Sequence, residues 1–292
     1  MTEQQQAAFG REAGAGLSDH ELPAYAPMLA AFHRACAADL QQILADLPLQ
    51  MGDRVLDMAC GDGVFSVWLA ERIGANGRVV GVDLSPAYLE VARKHAAQSQ
   101  YAELISFELG DIARLPFADG AFDFVWCAHS LYSLPDPVAA LRELRRITKV
   151  GGSVGILEND TLHHHLLPWP AELELAVRSA QLADLENSTP NASKFYIGRN
   201  LCRVFAMVDL AECSVSTYTI DHRAPLSADE RFFLGDYLND LGQRARPYLD
   251  AAARRAFDLL IDPESALYLL TRADFFSSQL ELVALGRKLG AG

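Results

Sequence analysis

The stretch Val55-Leu56-Asp57-Met58-Ala59-Cys60-Gly61-Asp62-Gly63-Val64-Phe65-Ser66 constrains the fold more than any other part of the chain. An apolar run ends in an acid, a loop of small residues follows, and an amphipathic helix begins. That order describes a strand, a tight turn and a helix N-terminus. Ala59, Gly61 and Gly63 carry little or no side chain, so a ligand can approach the backbone closely. The first amides of the following helix have no partner within the helix and point toward whatever binds there.

The pattern repeats downstream. Short apolar runs predict strands over Arg54–Met58, Arg78–Asp83, Leu104–Leu109, Phe122–Ala128 and Ser153–Leu157. Helical spacing predicts Val64–Ile73, Pro86–Gln98 (with Ser85 as cap) and Pro137–Lys149 between them. Strands alternating with helices of this length build a parallel sheet with helices on both faces, with ligands at the strand C-terminal edge. Two later strands, Ser214–Ile220 and Ser277–Leu285, bring the expected count to seven.

Four parts follow from this division. Residues 1–50 form a helical extension, in which 1–17 are polar and read as mobile, or ordered only when a ligand is bound, and Ser18–Leu47 as helical. Residues 51–158 are the repeating core. Residues 159–197 read as a lid, with a helix over Ala171–Leu185, because they are too long for a simple connection. Residues 198–292 complete the core, with a helix over Gly198–Leu210 and a second helical insertion at 227–270 that is largely helical over Ser227–Leu260.

Charge narrows the partners. The chain has 292 residues, with 38 acids against 25 bases and a formal net charge of −13. That field repels nucleic acids and anionic membranes, so neither is expected as a partner. No apolar run reaches the ~18 residues of a membrane span. The five cysteines are scattered without a C-x-x-C pair, which argues against a disulfide framework or a zinc site. The first residues lack a secretory pattern, and a cytoplasmic location is expected. A homodimer is left open.

The sheet could hold a dinucleotide, a mononucleotide or another nucleoside. A dinucleotide loop needs a third glycine where Ser66 stands, and a phosphate-binding loop needs Lys and Ser or Thr where Val64-Phe65 follow Gly63. What fits is the class I S-adenosylmethionine-dependent methyltransferase family, which the chain resembles over its central part and again near its end. Val55–Gly63 match the family's first motif, with Ala59 in place of the commoner glycine. This variant is frequent in the branch similar to ubiquinone and menaquinone C-methyltransferases. Val79-Val80-Gly81-Val82-Asp83-Leu84-Ser85 match the second. Gly110-Asp111-Ile112, Phe122–Cys127 with Leu134-Pro135-Asp136-Pro137, and Leu141–Ile147 with Gly151-Gly152 match three more, in order.

The resemblance implies an α/β fold, a Rossmann-like seven-stranded mostly parallel sheet, with S-adenosylmethionine as cofactor and S-adenosylhomocysteine as product. It implies that Asp57, Ala59, Gly61 and Gly63 wrap the methionine end and that Asp83 accepts from both ribose hydroxyls. Leu84 and Ile112 would flank the adenine, Asp111 would accept from its amino group, and Cys127 counts with this set.

The methyl donor's sulfonium is already electrophilic, so the protein mainly has to align a nucleophile. A base is needed only where the acceptor must lose a proton. His129, just past the fourth strand, is a catalytic or substrate-orienting candidate, or else shapes the cofactor pocket. Tyr132 either points at substrate or packs on the lid. Among His163, His164 and His165 one can face the pocket, and His163 is taken with the catalytic set. Three adjacent histidines are a poor metal site. Glu158, Asn159 and Asp160 offer a base or an amine contact, or a cap and a solvated turn. His222 is less well placed, and Tyr25 either closes over the cofactor or packs in its helix.

Aromatic and aliphatic residues in the insertions suit a small, partly hydrophobic substrate such as a quinone, polyketide or terpenoid. The expected function is methyl transfer to such a molecule. The alternative is a non-methylating reaction, such as decarboxylation, cyclisation or hydroxylation, on the same cofactor-binding scaffold. A binding or regulatory module that has lost catalysis fits poorly with intact motifs.

Overall fold

The computed structural model describes residues 21–189 and 191–290, so the expected mobile segment 1–17 and the helix start at Ser18 lie outside the described residues. The apolar runs become β1 (Arg54–Met58), β2 (Arg78–Asp83), β3 (Ile105–Leu109), β4 (Phe122–Ala128) and β5 (Thr148–Glu158). They pair in parallel in the order β3-β2-β1-β4-β5. β1, β2 and β4 are buried along nearly their whole length, which is why they read as continuous apolar runs.

The first two helices of the chain are α1 (Ala26–Ala35) and α2 (Ala37–Ala45), and the crossover helices are α3 (Val64–Ile73), α4 (Pro86–Ala97) and α5 (Pro137–Ile147). The Ser85 hydroxyl accepts from the Tyr88 amide at the start of α4, and Asp136 accepts from Val138 and Ala139 at the start of α5. The single helix expected up to Leu47 is therefore two. Cys36 leaves helical geometry between them at φ −101° and ψ 12°.

β6 (His165–Leu166), β7 (Ala211–Arg223) and β8 (Phe276–Arg287) complete an eight-stranded sheet. β8 runs antiparallel between β5 and β7, and β6 pairs with the start of β8, His165 opposite Gln279. The eighth strand was missed because two residues are too short to carry a period.

The remaining helices are α6 (Ala171–Ser188), α7 (Leu201–Ala206), α8 (Ala228–Ala245) and α9 (Ala251–Ile261). The helix expected over Gly198–Leu210 shrinks to α7, because residues Ala192–Asn200 wind as 3₁₀ turns with a kink at Tyr196. The helix expected over Ser227–Leu260 breaks near Pro247, which has no amide to donate, and Asp250 caps the restart. α8 packs on α1, and α6 packs on α8 and α9. Val177, Leu234, Leu238 and Phe257 share one apolar cluster with Phe32 and Leu40. Segments far apart in sequence thus form one helical cap over one face of the sheet. No helix among the described residues is long and apolar enough to cross a membrane.

Candidate functional site

Parallel register fixes what meets at the strand C-terminal edge. Met58 lies opposite Val82 on one side and Cys127 on the other, and Cys127 lies opposite Ile156. With ~4.8 Å between strands, Asp83, the 59–63 loop, His129 and Glu158 follow one another along the edge.

The loop turns through left-handed conformations at Ala59, Gly61 and Gly63, with φ of 56°, 51° and 76°. The Gly61 amide donates to Asp83 Oδ2 at 2.9 Å, and the Ser85 amide to Asp83 Oδ1 at 2.9 Å. Burial raises the Asp83 carboxyl above its ordinary value, and these amides oppose the rise. A carboxylate has about four acceptor positions, so two amides leave room for further donors. Leu84 beside it is exposed, Ile112 is buried, and Asp111 is exposed and accepts from the Ala113 amide.

The two glycines differ. A side chain at Gly61 would meet nothing within 4 Å, whereas one at Gly63 would sit 2.9 Å from the Ala92 Cβ. Gly61 therefore keeps the backbone open, and Gly63 admits α4. An acceptor carboxylate, an open backbone and an exposed leucine suit a hydroxyl-bearing nucleoside, so these residues fit the cofactor that the sequence resemblance implies.

Asp57 is 1% exposed beneath the loop, and the Ser66 hydroxyl donates to its Oδ2 at 2.6 Å. Burial pushes the Asp57 carboxyl up to about 7, against the pull of that bond. This explains the serine where a dinucleotide loop would have glycine. Ser66→Ala strands a buried acid and should cost ~1–3 kcal/mol. A folded pKa raised above the unfolded one means that the charged form opposes folding, so stability from this group falls as pH rises toward about 7. The loss in melting temperature should be larger at pH 8 than at pH 5. Thermal melts of both proteins at the two values check this.

His129 also has a left-handed backbone, φ 49°, and its amide donates to the Leu157 carbonyl at 2.8 Å. Its Nε2 lies 2.8 Å from Oε2 of Glu281, which is fully buried in β8. Burial alone would lower the His129 pKa, but the charge and hydrogen bond of Glu281, with Glu158 behind, hold it above the ordinary value. The same pairing outweighs burial at Glu281 and holds it below the carboxylate range. Gln279 donates to the other Glu281 oxygen. Glu158 accepts from the Leu131 and Tyr132 amides, and burial pushes it up to about 7.

Beside this pair lies a small pocket lined by Tyr132, Asn159, His164, Gln181, Tyr237 and Arg244 among others. Tyr132 thus reaches the pocket and also packs on Phe195 of the cap, ring centroids 6.2 Å apart. His163 does not reach it: its side chain is 63% exposed, and Arg199 bonds to it at 2.8 Å. The chain turns at Asp160, which accepts from the Leu162 amide and pairs with Arg199, so His163 faces outward and His164 inward. Burial lowers His164 to about 4. Cys127 is fully buried in the apolar cluster of β4, and burial pushes its thiol up.

From α1, Phe32 meets the His129 ring edge-on at 5.7 Å, and His33 Nδ1 lies 3.1 Å from Asp62 of the loop. Tyr25 is half-buried near Tyr88, ring centroids 6.4 Å apart, and His222 pairs with Glu230 at 3.1 Å. Phe195 and Tyr237, among the insertion aromatics expected to line an apolar pocket, do line it, whereas sequence reasoning missed Glu281, Gln279, Gln181 and Arg244. An acid and a glutamine at alternate positions of an otherwise apolar strand were the available signal for the first two.

Comparison with known proteins points to the same fold. A family profile described as a methyltransferase domain matches residues 56–156. A demethylmenaquinone methyltransferase of Staphylococcus aureus is 35% identical over 118 residues, covering 40% of this chain and 48% of that protein. The chain thus spans about half the length of the curated relatives it matches. Among solved structures, a geranyl diphosphate C-methyltransferase from Streptomyces coelicolor superposes with TM-score 0.50 at 19% identity, covering 96% of this chain and 90% of that one. The cyclase SpnF superposes with TM-score 0.52 at 18% identity, covering 91% and 95%. At such identities these structures speak for the fold alone.

Proposed function

We propose, for a chain whose residues 56–156 belong to the class I S-adenosylmethionine-dependent methyltransferase family, that it moves a methyl group from S-adenosylmethionine to a small, partly hydrophobic organic molecule. The observation that carries this reading is the adjacency of two arrangements. Asp83 and the open backbone at Gly61, at the ends of β2 and β1, share one sheet edge with His129 at the end of β4 and its partner Glu281 on β8, beneath a helical cap.

The cofactor, when bound, supplies a methyl group on a positively charged sulfur. Asp83 would accept from the ribose hydroxyls, Leu84 and Ile112 would flank the base, and Asp111 would accept from its amino group. Ala59 and Gly61 would hold the methionine end against bare backbone, with Asp57 and Gly63 fixing the loop from below. Residues 51–158 hold the cofactor, while 159–197 and 227–270 hold the acceptor. His129 takes the acceptor's proton, Glu281 holds the ring in place, and the cap keeps water from the reacting atoms. A quinone, polyketide or terpenoid matches the apolar walls.

The test uses methyl-labelled cofactor with purified protein and a small-molecule extract. The expected result is a labelled small molecule and S-adenosylhomocysteine in equal amounts. Conversion of a substrate with no S-adenosylhomocysteine would replace methyl transfer by a non-methylating reaction. No binding of S-adenosylhomocysteine in calorimetry would overturn both.

A further inference from the structure

We propose that the pocket under α6 and α8 recognises an uncharged oxygen, a carbonyl or hydroxyl group, on the acceptor molecule through the free donors of Gln181, Tyr237 and Arg244. The inference rests on the reading above and names the chemistry of its second substrate.

The three side chains line one pocket, and each presents a buried donor with no protein partner: Gln181 Nε2, the Tyr237 hydroxyl and Arg244 Nε. Gln181 is 1% exposed and Tyr237 6%. Buried donors are nearly always paired in native proteins, so three orphans around one pocket point to a ligand acceptor. None is free to swing away. Arg178 donates to Gln181 Oε1 at 3.1 Å, which fixes the amide with its nitrogen unpaired. The Tyr237 ring packs against His165 with centroids 4.3 Å apart. Arg244 is anchored through Nη2, 2.5 Å from Asp240.

Charge decides between a neutral and an anionic oxygen. Arg244 is matched by Asp240, Arg178 by Glu174 at 2.7 Å, and His129 by Glu281. Among the described residues, the cation near the pocket without a carboxylate is Lys194, which lies over the Phe195 ring and donates to the Ser133 carbonyl, while the buried Glu158 lies close behind Tyr132. His164 is neutral there, because burial lowers it to about 4. Tyr132 and Phe195 add apolar walls for the body of the molecule.

The test measures dissociation constants by ligand-observed NMR for acetophenone, phenol, ethylbenzene, benzoate and inorganic phosphate. Wild type, Tyr237→Phe and Gln181→Leu are compared. Acetophenone and phenol should bind about tenfold more tightly than ethylbenzene, the scale of one or two hydrogen bonds to buried donors. Benzoate and phosphate should bind more weakly than acetophenone. Each substitution should shrink the oxygen advantage at least about threefold while leaving ethylbenzene unchanged.

Tyr237→Phe should melt at or above the wild-type temperature, since the lost hydroxyl has no partner in the protein. The proposal is overturned if acetophenone does not bind, has no advantage over ethylbenzene, or keeps its advantage in both variants. Tighter binding of benzoate or phosphate, or a clear drop in the Tyr237→Phe melting temperature, also overturns it. Calorimetry with S-adenosylhomocysteine on the same samples separates the two readings. A protein that binds acetophenone as expected but not this cofactor form refutes the methyltransferase reading alone.

Discussion

Asp83→Ala should weaken binding of S-adenosylhomocysteine by about 10²–10⁴-fold, the loss of two hydrogen bonds to a charged acceptor at ~1.5–3 kcal/mol each. The carboxylate closes β2 and holds the Gly61 and Ser85 amides, so it orders the loop as well as offering oxygens to a ligand. Both functions act in the same direction on affinity. They separate in Asp83→Asn, whose single side-chain carbonyl can still accept from one of these amides. Asn should recover part of the loop but little of the ribose contact, so its affinity should lie nearer Ala than wild type. The protein should still fold, because Asp83 lies at the edge and its carboxyl is already raised by burial. Calorimetry on the three proteins, with far-ultraviolet circular dichroism, reads both effects. Unchanged affinity in Asp83→Ala would mean that the nucleoside does not lie over this strand.

The C-terminal edge of strands β1, β2 and β4 was legible in the sequence because its signals are local. β1, α3, β2 and β4 have the bounds predicted from apolar runs, caps and glycines, and parallel pairing then leaves little freedom in where Asp83 and His129 fall. The pocket under the cap was much less legible, for a physical reason. Glu281 is separated from His129 by 152 positions and arrives on an antiparallel strand. Gln181 and Arg244 come from two cap helices and show only ordinary helical spacing, while Tyr237 stood out only as one of several insertion aromatics. The histidine run shows the same limit. Which of three adjacent side chains faces inward depends on the turn at Asp160 and on Arg199, a contact across 39 positions. His164 lines the pocket, and His163 faces outward.

Replacing His129 should lower kcat by ~10²–10⁴-fold, the usual range for a lost acid–base group, while S-adenosylhomocysteine affinity changes little. Asparagine is the better replacement here, because His129 has φ 49° and asparagine tolerates that region where alanine is strained. Glu281→Gln tests how the ring is held. A base must be neutral, so turnover should rise with pH through the raised His129 pKa. Removing the Glu281 charge removes the main upward pull, so the acid limb of kcat should move to lower pH. A merely structural role would lower activity at every pH without moving that limb. Stability gives an independent check on the same pair. Glu281 is held below its ordinary 4.5, so its contribution is present above that value and lost as pH falls through the lower folded one. His129 is held above 6.5, so its contribution is full below that value and lost as pH rises through the higher folded one. The pair therefore stabilises most between these limits, where breaking it costs ~3 kcal/mol or more. The gap in unfolding free energy between wild type and Glu281→Gln should be widest from pH 4.5 to 6.5 and narrow on both sides. A gap that does not vary with pH would mean that His129 and Glu281 are not an ion pair in the folded protein.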